Sequence, residues 1–137
     1  MIDVPSIPLP RPINRTVNGP EVHKAGGVLV VDYDFETDDG TVEWSRVSFE
    51  EPLVFEYRDS ACCLVGDIVG SHEIRVQRES ALLRATLERW QEAVGWQDWQ
   101  AAKGGAERFR HFSLWFDDAS SLDIVASSCN AHVLTTR

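Results

Sequence analysis

Apolar and polar residues alternate along several stretches of the chain, a pattern typical of strands with one buried face. In residues 28–36 (VLVVDYDFE) the odd positions are apolar, and the even positions are acidic from residue 32 onwards. The turn-forming sequence DDG follows at 38–40, and apolar residues return at Val42 and Trp44. This succession predicts a β-hairpin over residues 28–50.

Within the second strand of that hairpin the apolar positions change from even numbers to odd numbers, Val47 and Phe49. A β-bulge would produce such a change of phase, and we expect one there. Shorter alternating stretches predict further strands and a C-terminal hairpin, at residues 53–58, 62–65, 74–76, 112–116, 122–126 and 132–134.

One stretch has the helical period instead. From about Glu79 to Val94, apolar residues recur at intervals of three and four on one face, at Leu83, Leu87, Trp90 and Val94. Ser80 can cap the start of this helix. Since strands do not alternate regularly with helices, the order of elements predicts an α+β fold in which a mostly antiparallel sheet packs against one long amphipathic helix.

The first twenty residues differ from the rest because they contain five of the six prolines. Proline excludes a helix or a central strand there, so residues 1–20 are predicted to form an extended arm. Apolar residues between the prolines suggest that the arm lies against an apolar surface of its own domain or of a neighbouring subunit. An alternative is a docking peptide in the polyproline II conformation. Residues 21–137 then form a single α+β domain.

The chain has 22 acidic and 13 basic residues, a formal net charge of −9. This charge disfavours nucleic acids and anionic membranes as partners and favours a basic protein. The first hairpin and its turn carry the acidic residues expected to form such a protein-binding surface: Asp32, Asp34, Glu36, Asp38 and Asp39. The alternative is that these carboxylates only keep a solvated face soluble.

The cysteine content and the hydropathy of the chain indicate the cellular compartment in which the protein is expected. Cys62, Cys63 and Cys129 are odd in number and have no C-x-x-C spacing, which argues against a disulfide framework and a thiolate zinc site. No apolar run approaches the length of a membrane span. We therefore expect a cytoplasmic protein.

Known cofactor and catalytic motifs are absent, so no cofactor and no metal are expected. The C-terminal hairpin offers one candidate site. A turn centred on residues 118–120 would place Trp115 opposite Asp123 and His111 opposite Ser127, on one face able to bind a small polar ligand or to exchange protons. The alternative is an ordinary polar face that solvent or the helix covers.

Trp96 and Trp99 follow the predicted helix among polar residues, a composition common at protein interfaces. The leading hypothesis is a non-enzymatic protein-binding module, analogous in composition to immunity or adaptor proteins. The second is a small ligand-binding domain or enzyme that uses the face with His111, and the third is a homo-oligomer held by the N-terminal arm. Whether the protein is an enzyme is left open, and the absence of known catalytic motifs argues against it.

Overall fold

Two antiparallel β-sheets and one α-helix make up the fold, in a computed structural model that describes residues 6–11, 20–58, 73–94, 106–116 and 121–134. The prediction of mostly antiparallel sheets with a helix is confirmed. The elements in chain order are β1 (Ser6–Pro8), β2 (Glu21–Ala25), β3 (Val28–Glu36), β4 (Val42–Glu50), β5 (Val54–Arg58), β6 (Glu73–Gln77), α1 (Ala81–Val94), a 3-10 turn (Ala106–Arg108), β7 (Arg110–Trp115), β8 (Ser121–Ala126) and β9 (Ser128–Val133).

The strands divide between a five-stranded sheet, sheet A, in the order β1-β6-β7-β8-β5, and a four-stranded sheet, sheet B, in the order β2-β3-β4-β9. Only Ser127 separates β8 from β9, so the chain crosses from one sheet to the other at that residue. The backbone N–H of Ser127 donates to the carbonyl oxygen of Glu50 on sheet B at 2.9 Å, which fixes the crossing.

The main core lies between the sheets. Its side chains come from the inner faces of both, since strand residues two apart share a face: Leu29, Val31, Tyr33, Val47 and Phe49 from sheet B, and Ile74, Phe112, Leu114, Leu122 and Ile124 from sheet A. The rings of Phe49 and Phe112 meet across the interface with centroids 5.5 Å apart. The molecule is therefore a β-sandwich.

Helix α1 packs against the other face of sheet A. Leu83 is buried there in a second apolar cluster with Phe109 and Val125, and Leu87 and Trp90 are partly buried against it. The Ser80 hydroxyl accepts a hydrogen bond from the Leu83 N–H at 3.0 Å, which caps the helix start. Sheet A is thus covered on both sides, by sheet B and by α1.

The predicted bulge in the first hairpin is wrong. The pairing of β3 with β4 runs without interruption from Val28 opposite Glu50 to Glu36 opposite Val42. Val47 and Phe49 point into the core, whereas Val42 and Trp44 share the outer face of sheet B, and this explains the apparent change of phase. Gly40 takes a φ of 85° in the turn, a conformation that a residue without a side chain adopts at little cost.

Part of the predicted N-terminal arm pairs with sheet A as β1, opposite β6. Ile7 and Leu9 pack against the main core. The Tyr33 hydroxyl donates to the carbonyl oxygen of Arg11 at 2.6 Å, and burial raises the pKa of that tyrosine. Residues 1–5 and 12–19 of the arm, the strand predicted at 62–65 and the indoles of Trp96 and Trp99 lie outside the described residues.

Two phenylalanines in strands provide a test of the core. Phe49 is 0% exposed between the sheets and Phe55 is 46% exposed on edge strand β5. We expect Phe49→Ala to lower the free energy of unfolding by about 3–5 kcal/mol, because a cavity replaces a fully packed ring. Phe55→Ala should cost about 1 kcal/mol or less. Urea unfolding of both variants measures the difference, and equal losses would contradict the sandwich core.

Candidate functional site

The outer face of sheet A, next to the start of α1, carries a compact group of polar side chains. The strand register sets them in rows, because Gln77 pairs with His111 on β7 and Arg75 pairs with Ser113. Ser113 in turn pairs with Asp123 on β8. Residues two apart on a strand point to one side, so all these side chains lie on the face opposite the main core.

His111 is the centre of a hydrogen-bonded network on this face. Its Nε2 lies 2.7 Å from Asp123 Oδ1, and its Nδ1 lies 2.8 Å from the Ser80 hydroxyl oxygen. The Ser113 hydroxyl donates to the same Oδ1 at 2.7 Å. His111 is only 6% exposed and Asp123 only 4%. Three separate elements, the start of α1, β7 and β8, therefore converge on one buried imidazole.

The charge of Asp123 determines where the imidazole carries its proton. Burial raises the pKa of this carboxyl group, but the hydrogen bonds from His111 and Ser113, the charge of Arg58 and the charge of His111 whenever its ring is protonated outweigh it, so the pKa is lowered overall. An ionised carboxylate only accepts hydrogen bonds, so Nε2 must be the donor toward Asp123. In the neutral ring Nδ1 is then free to accept the Ser80 proton.

This network forms one wall of a cavity of about 260 Å³ beside the N-terminus of α1. Two arginines also line it, Arg58 and Arg75. Arg58 Nε lies 3.4 Å from Asp123 Oδ2, whereas Arg75 forms no ion pair with any residue that the structure describes. Arg58 therefore pairs with the Asp123 carboxylate, whereas the guanidinium of Arg75 is available to bind a ligand.

Two buried polar atoms of the cavity wall make no hydrogen bond. They are the indole Nε1 of Trp115, a residue 6% exposed, and Oδ2 of Asp123. Buried polar atoms without a hydrogen bond are rare in folded proteins, and Oδ2 of Asp123 has only the ion pair with Arg58. Trp115 lines the cavity, and its buried indole N–H has no hydrogen-bond partner among the described residues.

The structure brings together three of the four residues predicted for the ligand-binding face, His111, Trp115 and Asp123. The predicted register is displaced by two residues, because Trp115 pairs with Ser121. A register shift of two residues keeps every side chain on the same face of the sheet. His111, Trp115 and Asp123 therefore share one face, as predicted, although the predicted register is wrong. Ser127 is placed wrongly, since the chain leaves sheet A after β8 and the Ser127 hydroxyl bonds to Glu50 of sheet B instead.

Sequence reasoning placed Ser113 on this face but missed Ser80, Arg58 and Arg75 as members of the site. It interpreted Ser80 only as a helix cap. The alternation of Arg75 and Gln77 with apolar Ile74 and Val76 did indicate that the arginine points away from the core. Nothing in the sequence indicated that β6 is the neighbour of β7, and that pairing is what brings Arg75 to His111.

The predicted acidic surface is only partly at the surface. Asp32 and Asp34 are buried, and Arg46 holds the carboxylate of Asp32 at 2.8 and 2.9 Å through two nitrogens. Their predicted place on a solvated face is therefore wrong. Glu36, Asp38 and Asp39 are exposed.

The turn that carries those exposed residues is ordered by side-chain hydrogen bonds. Asp39 accepts hydrogen bonds from the Thr37 hydroxyl and from the Thr41 N–H, and these hydrogen bonds lower the pKa of Asp39 to about 2. The ionised carboxylate of Asp39 therefore stabilises the turn through these hydrogen bonds.

Within the described ranges, no group of three or more histidine, cysteine or acidic side chains could hold a metal ion. No helix in the described part of the chain is long and apolar enough to cross a membrane. Comparison of the chain with protein-family models, with curated proteins and with solved structures finds no match. The site must therefore be judged by its own chemistry.

The lowered pKa of Asp123 gives a prediction about acid sensitivity. Its contribution to stability should be present above the unfolded-state pKa of about 3.9 and lost as the pH falls through the lower folded-state pKa. Carboxyl ¹³C NMR should find the Asp123 titration below pH 3.8, the ordinary value. Ser113→Ala should raise the midpoint by removing a hydrogen bond to the ionised form. A wild-type midpoint at or above 3.8 would contradict the network.

Proposed function

We propose that this domain binds a small anionic ligand in the cavity between the N-terminus of α1 and the outer face of sheet A. The observation that carries the proposal is the buried His111–Asp123 pair in a cavity that is also lined by Arg75, which forms no ion pair with a described residue, and by Trp115, whose buried indole N–H has no hydrogen-bond partner among the described residues.

The donors around the cavity favour an anion over a cation. Arg75 offers a planar guanidinium suited to a carboxylate or a phosphate. The helix start adds the positive end of the α1 dipole and backbone N–H groups that have no carbonyl within the helix. The one carboxylate in the wall, Asp123, already lies beside His111 and Arg58. Its charge is therefore largely compensated before a ligand enters.

The size of the cavity limits the ligand. About 260 Å³ is near the lower end of the volumes of small-molecule pockets, which start at roughly 300 Å³. A small organic anion no larger than one substituted benzene ring fits this volume, since a cavity of about 150 Å³ already holds benzene.

The test is an NMR titration with acetate, malonate, succinate and inorganic phosphate. We expect at least one anion to shift the Trp115 indole N–H signal in a saturable way. Arg75→Gln should weaken that binding about tenfold or more, because a charged hydrogen bond contributes about 1.5–3 kcal/mol. Arg84→Gln is the matched control, since Arg84 is exposed on α1 and does not line the cavity. No saturable shift, or equal weakening by both variants, would refute the proposal.

A second candidate function is the binding of a basic protein partner by the exposed acidic turn of the first hairpin. Glu36, Asp38 and Asp39 support it, because hydrogen bonds from Thr37 and Thr41 to Asp39 hold this turn in one conformation. The expected contribution of Trp96 and Trp99 remains part of this candidate. A cytoplasmic location and self-association through the proline-rich arm are further proposals. The described part of the arm packs Ile7 and Leu9 against the core of its own chain.

Charge neutralisation distinguishes a defined acidic surface from net charge alone. The double variant Glu36→Gln, Asp38→Asn should lose several-fold more affinity for a lysine-rich peptide than the double variant Glu88→Gln, Glu92→Gln, which removes the same charge from the exposed side of α1. Fluorescence anisotropy at low and physiological salt measures both. Equal losses would show that only total charge matters.

A further inference from the structure

We infer that Ser80, His111 and Asp123 form the nucleophile, the general base and the orienting carboxylate of an acyl-hydrolase site, and that its substrate is a small carboxylic ester carrying an anionic group. This inference rests on the proposed function, because it places the reaction in the same cavity. It goes further by assigning a covalent step to Ser80, whose other role in the structure is to cap α1.

Two hydrogen-bond distances support the assignment of these three catalytic roles. The Ser80 hydroxyl oxygen is 2.8 Å from His111 Nδ1, and His111 Nε2 is 2.7 Å from Asp123 Oδ1. Both lie within the range expected for an activated nucleophile, its base and the group that orients the base. The serine faces Nδ1 here rather than Nε2. The proton transfer requires only that one nitrogen accepts while the other donates, and the ionised Asp123 imposes that arrangement.

A second observation at the helix start points to a ligand. The unpaired indole N–H of Trp115 belongs to a residue that is 6% exposed and lines the same cavity as Ser80. Ala81 and Leu82 also line it. Their backbone N–H groups are the first two of α1 and have no carbonyl acceptor within the helix. Such donors stabilise the negative oxygen that develops when a carbonyl carbon is attacked.

The reaction is a two-step ester hydrolysis with water as co-reactant. Ser80 Oγ bonds to the acyl carbon while its proton passes to His111 Nδ1, and the ester C–O bond breaks as the leaving alcohol takes that proton. Water then attacks the acyl-serine, gives a proton to His111, and the carboxylic acid leaves as Ser80 recovers its proton. Asp123 stays ionised throughout and stabilises the imidazolium formed in each step.

Arg75 defines the substrate class. Arg75 lines the cavity from β6, where it pairs with Ser113, and forms no ion pair with a described residue. An anionic group on the substrate would meet it while the ester carbonyl lies at the helix start. The site should therefore prefer a charged ester to its neutral counterpart.

The experiment compares 4-acetoxybenzoate with methyl 4-acetoxybenzoate, which differ in that anionic group. We expect kcat/KM to be at least tenfold higher for the charged ester, and Arg75→Gln to abolish the preference. A fluorophosphonate probe should form an adduct that mass spectrometry locates on Ser80. Ser48→Ala, on the outer face of sheet B, should change neither result.

Replacing the serine needs a variant that keeps the helix cap. Ser80→Asn preserves capping, since asparagine is as good a cap as serine, but it has no hydroxyl nucleophile. We expect this variant to fold with similar thermal stability, to lose the adduct and to hydrolyse the ester at least 100-fold more slowly. Ser80→Ala should lose the same activity and be less stable.

The outcomes separate this inference from the proposed function. If anions shift the Trp115 indole signal but no adduct forms on Ser80 and hydrolysis equals that of Ser80→Asn, the acyl-hydrolase site is wrong and the ligand-binding cavity stands. If no anion binds and no adduct forms, both are wrong. An adduct on Ser80 with lost charge preference in Arg75→Gln supports both.

Discussion

Burial of sheet A on both faces is the constraint on which the rest of the structure depends. One face packs against sheet B across the main core, and α1 covers part of the other. In a sheet that is buried on one side only, water can hydrogen-bond to the polar side chains of the other face. Here the polar residues beside α1 are removed from water, so each must find a partner or incur a desolvation cost. The hydrogen-bonded group around His111 is the result.

The hydrogen-bonded group around His111 satisfies most of the buried polar atoms on this face, but not the indole N–H of Trp115. Asp123 Oδ1 accepts hydrogen bonds from His111 and Ser113, and Ser80 ties the imidazole to the start of α1. A network built only to satisfy buried atoms would not leave the Trp115 indole N–H unpaired at a cavity. The same bonds that order the helix start also set the imidazole tautomer that proton transfer needs. Structural and chemical roles therefore coincide in Ser80 and His111.

Much of the secondary structure was predictable because local patterns determine it. Period-two alternation identified the first hairpin, and the i, i+4, i+7 spacing with Ser80 as cap identified α1. The candidate face was predictable for the same reason, since residues two apart share a side whatever the register. The uninterrupted pairing of β4 was not predictable, because Trp44 is an apolar residue on the outer face and the pattern cannot distinguish that from a shift of phase. Asp32 shows the converse error: an acidic residue at an outward position is buried against Arg46.

The sequence by itself determined which residues share a face along each strand and helix, since side-chain direction follows from backbone periodicity alone. Only the tertiary structure decided which strands are neighbours, that the last two strands belong to different sheets, and that Ser80 and Arg75 lie beside His111. Those pairings join residues more than thirty positions apart, and they are selected by how the whole set of apolar faces packs together. No local pattern contains that information, so the cavity exists only in the folded molecule.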